Sequence, residues 1–123
     1  MKTLIYMGGF YHLAFALFHL AFWKLFKWER DLSFLNSVNR GIMQILNLRL
    51  IYVFLIIAAL SFWFAAELTT GNFGKVILFA VALFWLMRAI EQIIFFDLKN
   101  RFSLALFIII LLGAGLYGYP AIF

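Results

Sequence analysis

The chain has 123 residues, of which 67% are hydrophobic and 12% charged, with a formal net charge of +5 and no cysteine. Soluble domains are ~45–50% apolar and ~25% charged, so this composition excludes an ordinary soluble domain. The missing cysteines exclude disulfides, thiolate metal sites and thiol redox chemistry.

A membrane-crossing helix needs ~20 apolar residues, so the chain has room for four or five at most. The basic residues sit at the ends of apolar runs, where Lys and Arg set membrane orientation. No nucleic-acid partner is therefore expected; the expected surroundings are a lipid bilayer.

The first apolar segment is 3–23. Lys2, the apolar run and Ala14-Phe15-Ala16 resemble a signal peptide with a cleavage site. The run continues through Trp23 without a polar region, so a retained first helix is expected. His12 and His19 lie seven residues apart on it. They share a face at ~10 Å separation, from a rise of ~1.5 Å per residue. Imidazole ligates metals and heme, which makes His12 and His19 heme or metal candidates. Two ligands this far apart on one helix do not chelate one ion, so an interhelical hydrogen bond is the competing expectation. The sequence leaves the cofactor open, and heme is not favoured.

Residues 24–40 mix charges with Trp28, Phe34 and Leu35. That composition predicts an interfacial segment whose apolar side chains dip toward lipid. Asn36 or Ser37 is the expected N-cap of the next helix. The second helix is predicted over 41–66, with Gln44, Asn47 and Arg49 in its first half. Gly71 is a natural residue just past a helix end and Asn72 a natural cap.

The third helix is predicted over 75–96. It contains Arg88, Glu91 and Gln92, which share a face by their i, i+3 and i+4 spacing. The fourth is predicted over 102–122, with Pro120 helping to end it and Tyr117 and Tyr119 placed at an aqueous boundary. Among its glycines, Gly113, Gly115 and Gly118 permit close packing or a bend. The expected fold is an all-α integral membrane protein, a single four-helix transmembrane bundle of up-down topology with an interfacial segment between helices one and two.

Lys24, Lys27, Arg30, Arg40, Lys99 and Arg101 flank the first and third connections, against Lys2 and Lys75 on the other side. This places those connections in the cytoplasm and both termini outside. The expected location is a bacterial inner membrane. With that topology His19, Gln44, Asn47, Arg88, Glu91 and Gln92 fall at similar depth. They are the candidates for ligand binding or proton handling. An ion pair between Arg88 and Glu91 that locks two helices accounts for those two residues equally well.

Several small four-helix membrane families are similar in outline. Small multidrug transporters carry a membrane-embedded carboxylate in the first helix, where this chain has none. Vitamin K epoxide reductase-like proteins need cysteines. Four-helix b-type cytochromes place histidines on two helices, and both histidines here lie on one. DoxX-like proteins are similar in helix count and hydropathy alone. No motif assigns the chain to any of these families.

The leading functional expectation is an accessory or assembly subunit of a membrane complex, or a homo-oligomer. The alternative is a small transporter or ligand-binding protein that uses the polar cluster, and a heme-binding redox subunit is a weaker third. An enzyme is not favoured, since no nucleophile–base set is apparent.

Overall fold

The computed structural model describes the whole chain, Met1–Phe123. It is helical throughout: α1 (Lys2–Leu20), α2 (Phe22–Leu25), α3 (Trp28–Asp31), a 3-10 turn (Leu32–Phe34), α4 (Ser37–Trp63), α5 (Ala65–Thr69), α6 (Gly71–Phe95) and α7 (Arg101–Ile122). Four of these, α1, α4, α6 and α7, are long and apolar enough to cross a membrane. Their outward faces carry large apolar side chains, among them Phe10, Leu17, Ile94 and Ile108. A soluble monomer seldom exposes such extended apolar surface. The chain is a membrane protein by this criterion.

Contacts gather the chain into two compact units, one formed by Gly9–Leu60 and the other by Met1–Gly8 with Ser61–Phe123. In the first unit, the buried residues of α1 are Gly9, His12, Phe15 and Ala16, and those of α4 are Ile51, Phe54 and Ala58. These are the three- and four-residue spacings of a single helix face. His12 and Phe15 each meet Phe54 at 5.9 Å between ring centroids. His19 reaches back to Asn47. Partner numbers rise on α1 as they fall on α4, so the two helices run antiparallel.

Between them the chain turns sharply. Lys27 adopts a left-handed backbone conformation, with φ 54°, which ends α2 and swings Trp28 back against Phe22 at 5.6 Å. A left-handed non-glycine residue costs about 1–2 kcal/mol, so packing must hold it in place. Asn36 then caps α4, its Oδ1 accepting from the Asn39 N–H at 2.8 Å. The helix therefore begins at Ser37, a turn before the expected start at Gly41. At 27 residues it is about 40 Å long. That exceeds a ~30 Å hydrocarbon core by about two turns.

In the second unit, α6 buries Gly74, Leu78, Val81, Trp85, Ala89 and Gln92. The facing stripe on α7 includes Ser103, Ile110, Gly113, Tyr117 and Pro120. Gln92 meets Ser103 near the connection, and Gly118 lies against Ala82 farther away. The pair is an antiparallel hairpin. Asn100 closes the start of α7, accepting from the Phe102 N–H at 2.8 Å and the Ser103 N–H at 3.4 Å.

Two boundaries differ from those expected. α4 ends at Trp63 and a separate short helix, α5, follows. Gly71, with φ +76°, lies just past α5 as expected of a residue after a helix end, but it also opens α6. Asn72 is consequently inside α6 rather than its cap. α7 ends at Ile122, where its end was expected, two residues past Pro120. A proline this near the end of a helix leaves only one late backbone hydrogen bond unmade.

Candidate functional site

Of the polar residues expected at one depth, His19, Gln44 and Asn47 belong to the unit Gly9–Leu60, and Arg88, Glu91 and Gln92 to the other. His19 and Asn47 form a reciprocal pair. The Asn47 Nδ2 donates to the His19 carbonyl at 3.0 Å, which turns its Oδ1 toward the ring at 2.8 Å from Nδ1. A carbonyl oxygen only accepts, so His19 Nδ1 carries the proton and donates. The ring is also held by aromatic neighbours. It stacks on Phe22 at 4.2 Å and meets Phe54 edge-on at 5.2 Å.

Beside this pair lies a half-open cleft of about 160 Å³, lined by His19, Leu20, Trp23, Trp28, Gln44, Asn47, Leu48 and Ile51. Its lining combines the polar His19, Gln44 and Asn47 with two indoles and three aliphatic side chains. Every lining residue comes from the end of α1, from α2 or α3, or from residues 44–51 of α4. Gln44 Nε2 donates to the Arg40 carbonyl one turn back at 3.2 Å. The Arg40 Nε is buried and has no hydrogen-bond partner.

His12 is fully buried at 0% exposure and packs edge-on against Tyr11 at 5.4 Å. No group of three His, Asp or Glu side chains converges on a common point. His12 and His19 thus stand in different surroundings, His12 in the aromatic core and His19 beside the cleft.

Gln92 is buried and belongs to the α6–α7 hairpin. Its Nε2 donates to the Ser103 Oγ at 2.9 Å and to the Ser103 carbonyl at 3.2 Å, while its Oε1 has no partner. Arg88 and Glu91 do not form a salt bridge. The Arg88 guanidinium instead lies 5.9 Å from the Phe96 ring centroid, and Glu91 is exposed. The salt bridge that does form, Arg30 with Asp31 at 3.0 Å, joins sequence neighbours on an exposed surface.

Three polar side chains gain roles that the sequence did not suggest. Ser61 and Tyr117 are both buried, and their hydroxyls bond at 2.7 Å. Tyr117 was expected at an aqueous boundary; Tyr119, two residues on, is the exposed one. The hydroxyl end of the Tyr117 ring lies against Gly8, where a Cβ would overlap it. Ser103 is the third, as the partner of Gln92. The fourth spanning helix, α7, thus adds two polar groups to the interior. Their signal is faint in the sequence, because Ser and Tyr are common at interfaces and helix starts alike.

The class these features define is an all-helical membrane protein with four candidate spans. Comparison with protein-family models, curated proteins and solved structures returns no match.

Proposed function

We propose that the chain acts by association, as an accessory or assembly subunit of a membrane complex or as a homo-oligomer. The observation that carries this reading is Arg49. It is the thirteenth of the 27 residues of α4, and it is exposed. Ile45, Leu46, Leu48, Tyr52 and Val53 around it are exposed as well. The chain gives it neither a salt bridge nor a hydrogen bond.

An arginine facing lipid near a helix centre costs about 2.5–3.5 kcal/mol on insertion scales, less when it can snorkel to the headgroups. A carboxylate or carbonyl from a neighbouring protein removes that cost. Glu91 adds to the argument, being an exposed carboxylate among the exposed Met87, Ile90, Ile94 and Phe95. Arg88 one turn away offsets part of its charge, so the weight rests on Arg49.

The same reading includes an up-down bundle with both termini outside the cell membrane and the connections after α1 and α6 in the cytoplasm. Its support is the excess of Lys and Arg flanking those connections. The exposed Trp23, Leu25 and Phe34 of the first connection support an interfacial position for it.

The test is a photo-crosslinking residue placed at position 49 in the native membrane, with position 108 as comparator, since Ile108 is an exposed apolar residue on α7. Position 49 is expected to give discrete protein adducts. Lipid adducts alone at both positions would contradict the proposal.

A further inference from the structure

The carboxylates of the chain are Glu29, Asp31, Glu67, Glu91 and Asp97. Of these, Glu91 is the one that lies within a candidate span. Asp31 is taken by Arg30, and Asp97 accepts from the Lys99 backbone N–H in the connection after α6. Glu29 and Glu67 sit on the short helices α3 and α5. Arg88, one turn from Glu91, offsets part of its charge but forms no salt bridge with it and lies against the Phe96 ring. The spans thus carry one exposed cation, Arg49, and one exposed anion, Glu91, each outside any ion pair.

Both charges stand within exposed apolar helix faces. Ile45, Leu46, Tyr52 and Val53 surround Arg49, and Met87 and Ile94 flank Glu91. Each also lies a similar distance in from the end of its own helix that the Lys and Arg excess assigns to the cytoplasm. α4 opens on Ser37, Asn39 and Arg40 and closes on Phe62 and Trp63, so its surplus of about two turns belongs to its start. Arg49 then lies about 8 Å inside the hydrocarbon. α6 has Asn72 and Lys75 at its start and closes on Ile93, Ile94 and Phe95. Glu91, four residues before that end, lies about 6 Å inside. The difference is well within the reach of an arginine side chain.

We propose that Arg49 of one copy pairs with Glu91 of a second copy, joining the exposed face of α4 in one to the exposed face of α6 in the other. This rests on the reading that protein covers Arg49, and it names the covering chain. A second copy carries the complementary charge at the matching depth. In a closed symmetric oligomer every copy gives its Glu91 to a neighbour and receives one in return, so no charge is left over. An arginine and a carboxylate form the strongest class of protein hydrogen bond, and one such pair relieves the cost of both charges in lipid.

Energy transfer between copies labelled with donor and acceptor fluorophores at their amino termini, reconstituted in phosphatidylcholine vesicles, measures the association. The unaltered chain is expected to associate. Arg49→Glu alone and Glu91→Arg alone each set like charges against one another. Each is expected to weaken association at least about tenfold, the scale of one charge-assisted hydrogen bond. Mixing the two variants opposes unlike charges at both contacts of a dimer, so association is expected to return. A pair within one chain gives no such rescue, because every copy keeps its own like charges. Arg49→Gln and Glu91→Gln repeat the test without reversing a charge and keep it decisive if the reversed variants fail to insert. Each alone leaves no ion pair, and their mixture regains one of two. Single variants that associate as well as the unaltered chain would overturn the proposal, as would the lack of rescue in both mixtures. Unaltered copies that show no energy transfer would overturn it too. In that case protein adducts at position 49 in the native membrane would leave the broader association reading standing with a different partner, and lipid adducts alone would remove both.

Discussion

Gly8→Ala is the substitution whose cost follows most directly from the geometry. Gly8 is buried in the middle of α1, and a Cβ there would coincide with the tip of the Tyr117 ring. That ring has little room to retreat. Tyr117 is 1% exposed and its hydroxyl is tied to Ser61. Overpacking a filled core costs about 1–3 kcal/mol. Breaking the Tyr117–Ser61 bond adds about 0.6–1.7 kcal/mol, the range measured for such bonds within membranes. Against these stands the better helix propensity of alanine, about 0.8–1 kcal/mol in aqueous helices. The balance is a destabilisation of about 1–4 kcal/mol, with the overpacking term dominant. Reversible unfolding in mixed micelles, followed by circular dichroism, gives the free energy directly. The decisive comparison is the same substitution made in a Tyr117→Ala background. With the ring gone, the added methyl loses the three closest atoms it would meet, so Gly8→Ala is expected to become neutral or mildly stabilising. A cost in that background equal to the cost in the original protein would refute the close approach of Gly8 to the Tyr117 ring.

Two further outcomes follow from the polar pairs. Nitrogen-15 NMR of His19 is expected to show the Nδ1–H tautomer, because Asn47 Oδ1 faces that nitrogen; Asn47→Leu should shift the ring toward the Nε2–H form, and an unchanged spectrum would contradict the pairing. For Gln92, the double change to Leu with Ser103→Ala is expected to lie within about 1 kcal/mol of the original stability, since apolar replacement of both partners also removes an unsatisfied Oε1. Ser103→Ala alone should cost less than Gln92→Ala, which also empties buried volume; the reverse order in denaturant-induced unfolding would count against the contact.

Hydropathy made the four spans legible, because a crossing helix needs a length and an apolar content that few other structures share. Boundaries were less so. α4 starts a turn early because Asn36 satisfies the Asn39 N–H, a local bond that hydropathy does not register. α5 separates from α4 at Phe64, which leaves helical geometry with φ −124° and ψ 27° in an apolar sequence without Gly or Pro. Polar residues within spans were easy to see and hard to pair. His19 and Asn47 meet across α1 and α4, as similar depth suggested. Gln92 instead takes Ser103, a neighbour only eleven residues on, because the hairpin between α6 and α7 brings their ends together. Arg88 takes a ring face and Glu91 stays exposed, although their i, i+3 spacing permits an ion pair. Spacing sets which side chains can meet, and rotamer and packing choose among the options.

The central claim is that the exposed arginine of α4 is covered by protein in the membrane. The most direct measurement is the mass of the particle extracted from its native membrane without prior delipidation. A mass well above the 14.3 kDa of one chain, falling when Arg49→Leu removes the charge, is the result expected. A single chain carrying only lipid, unchanged by Arg49→Leu, would contradict it.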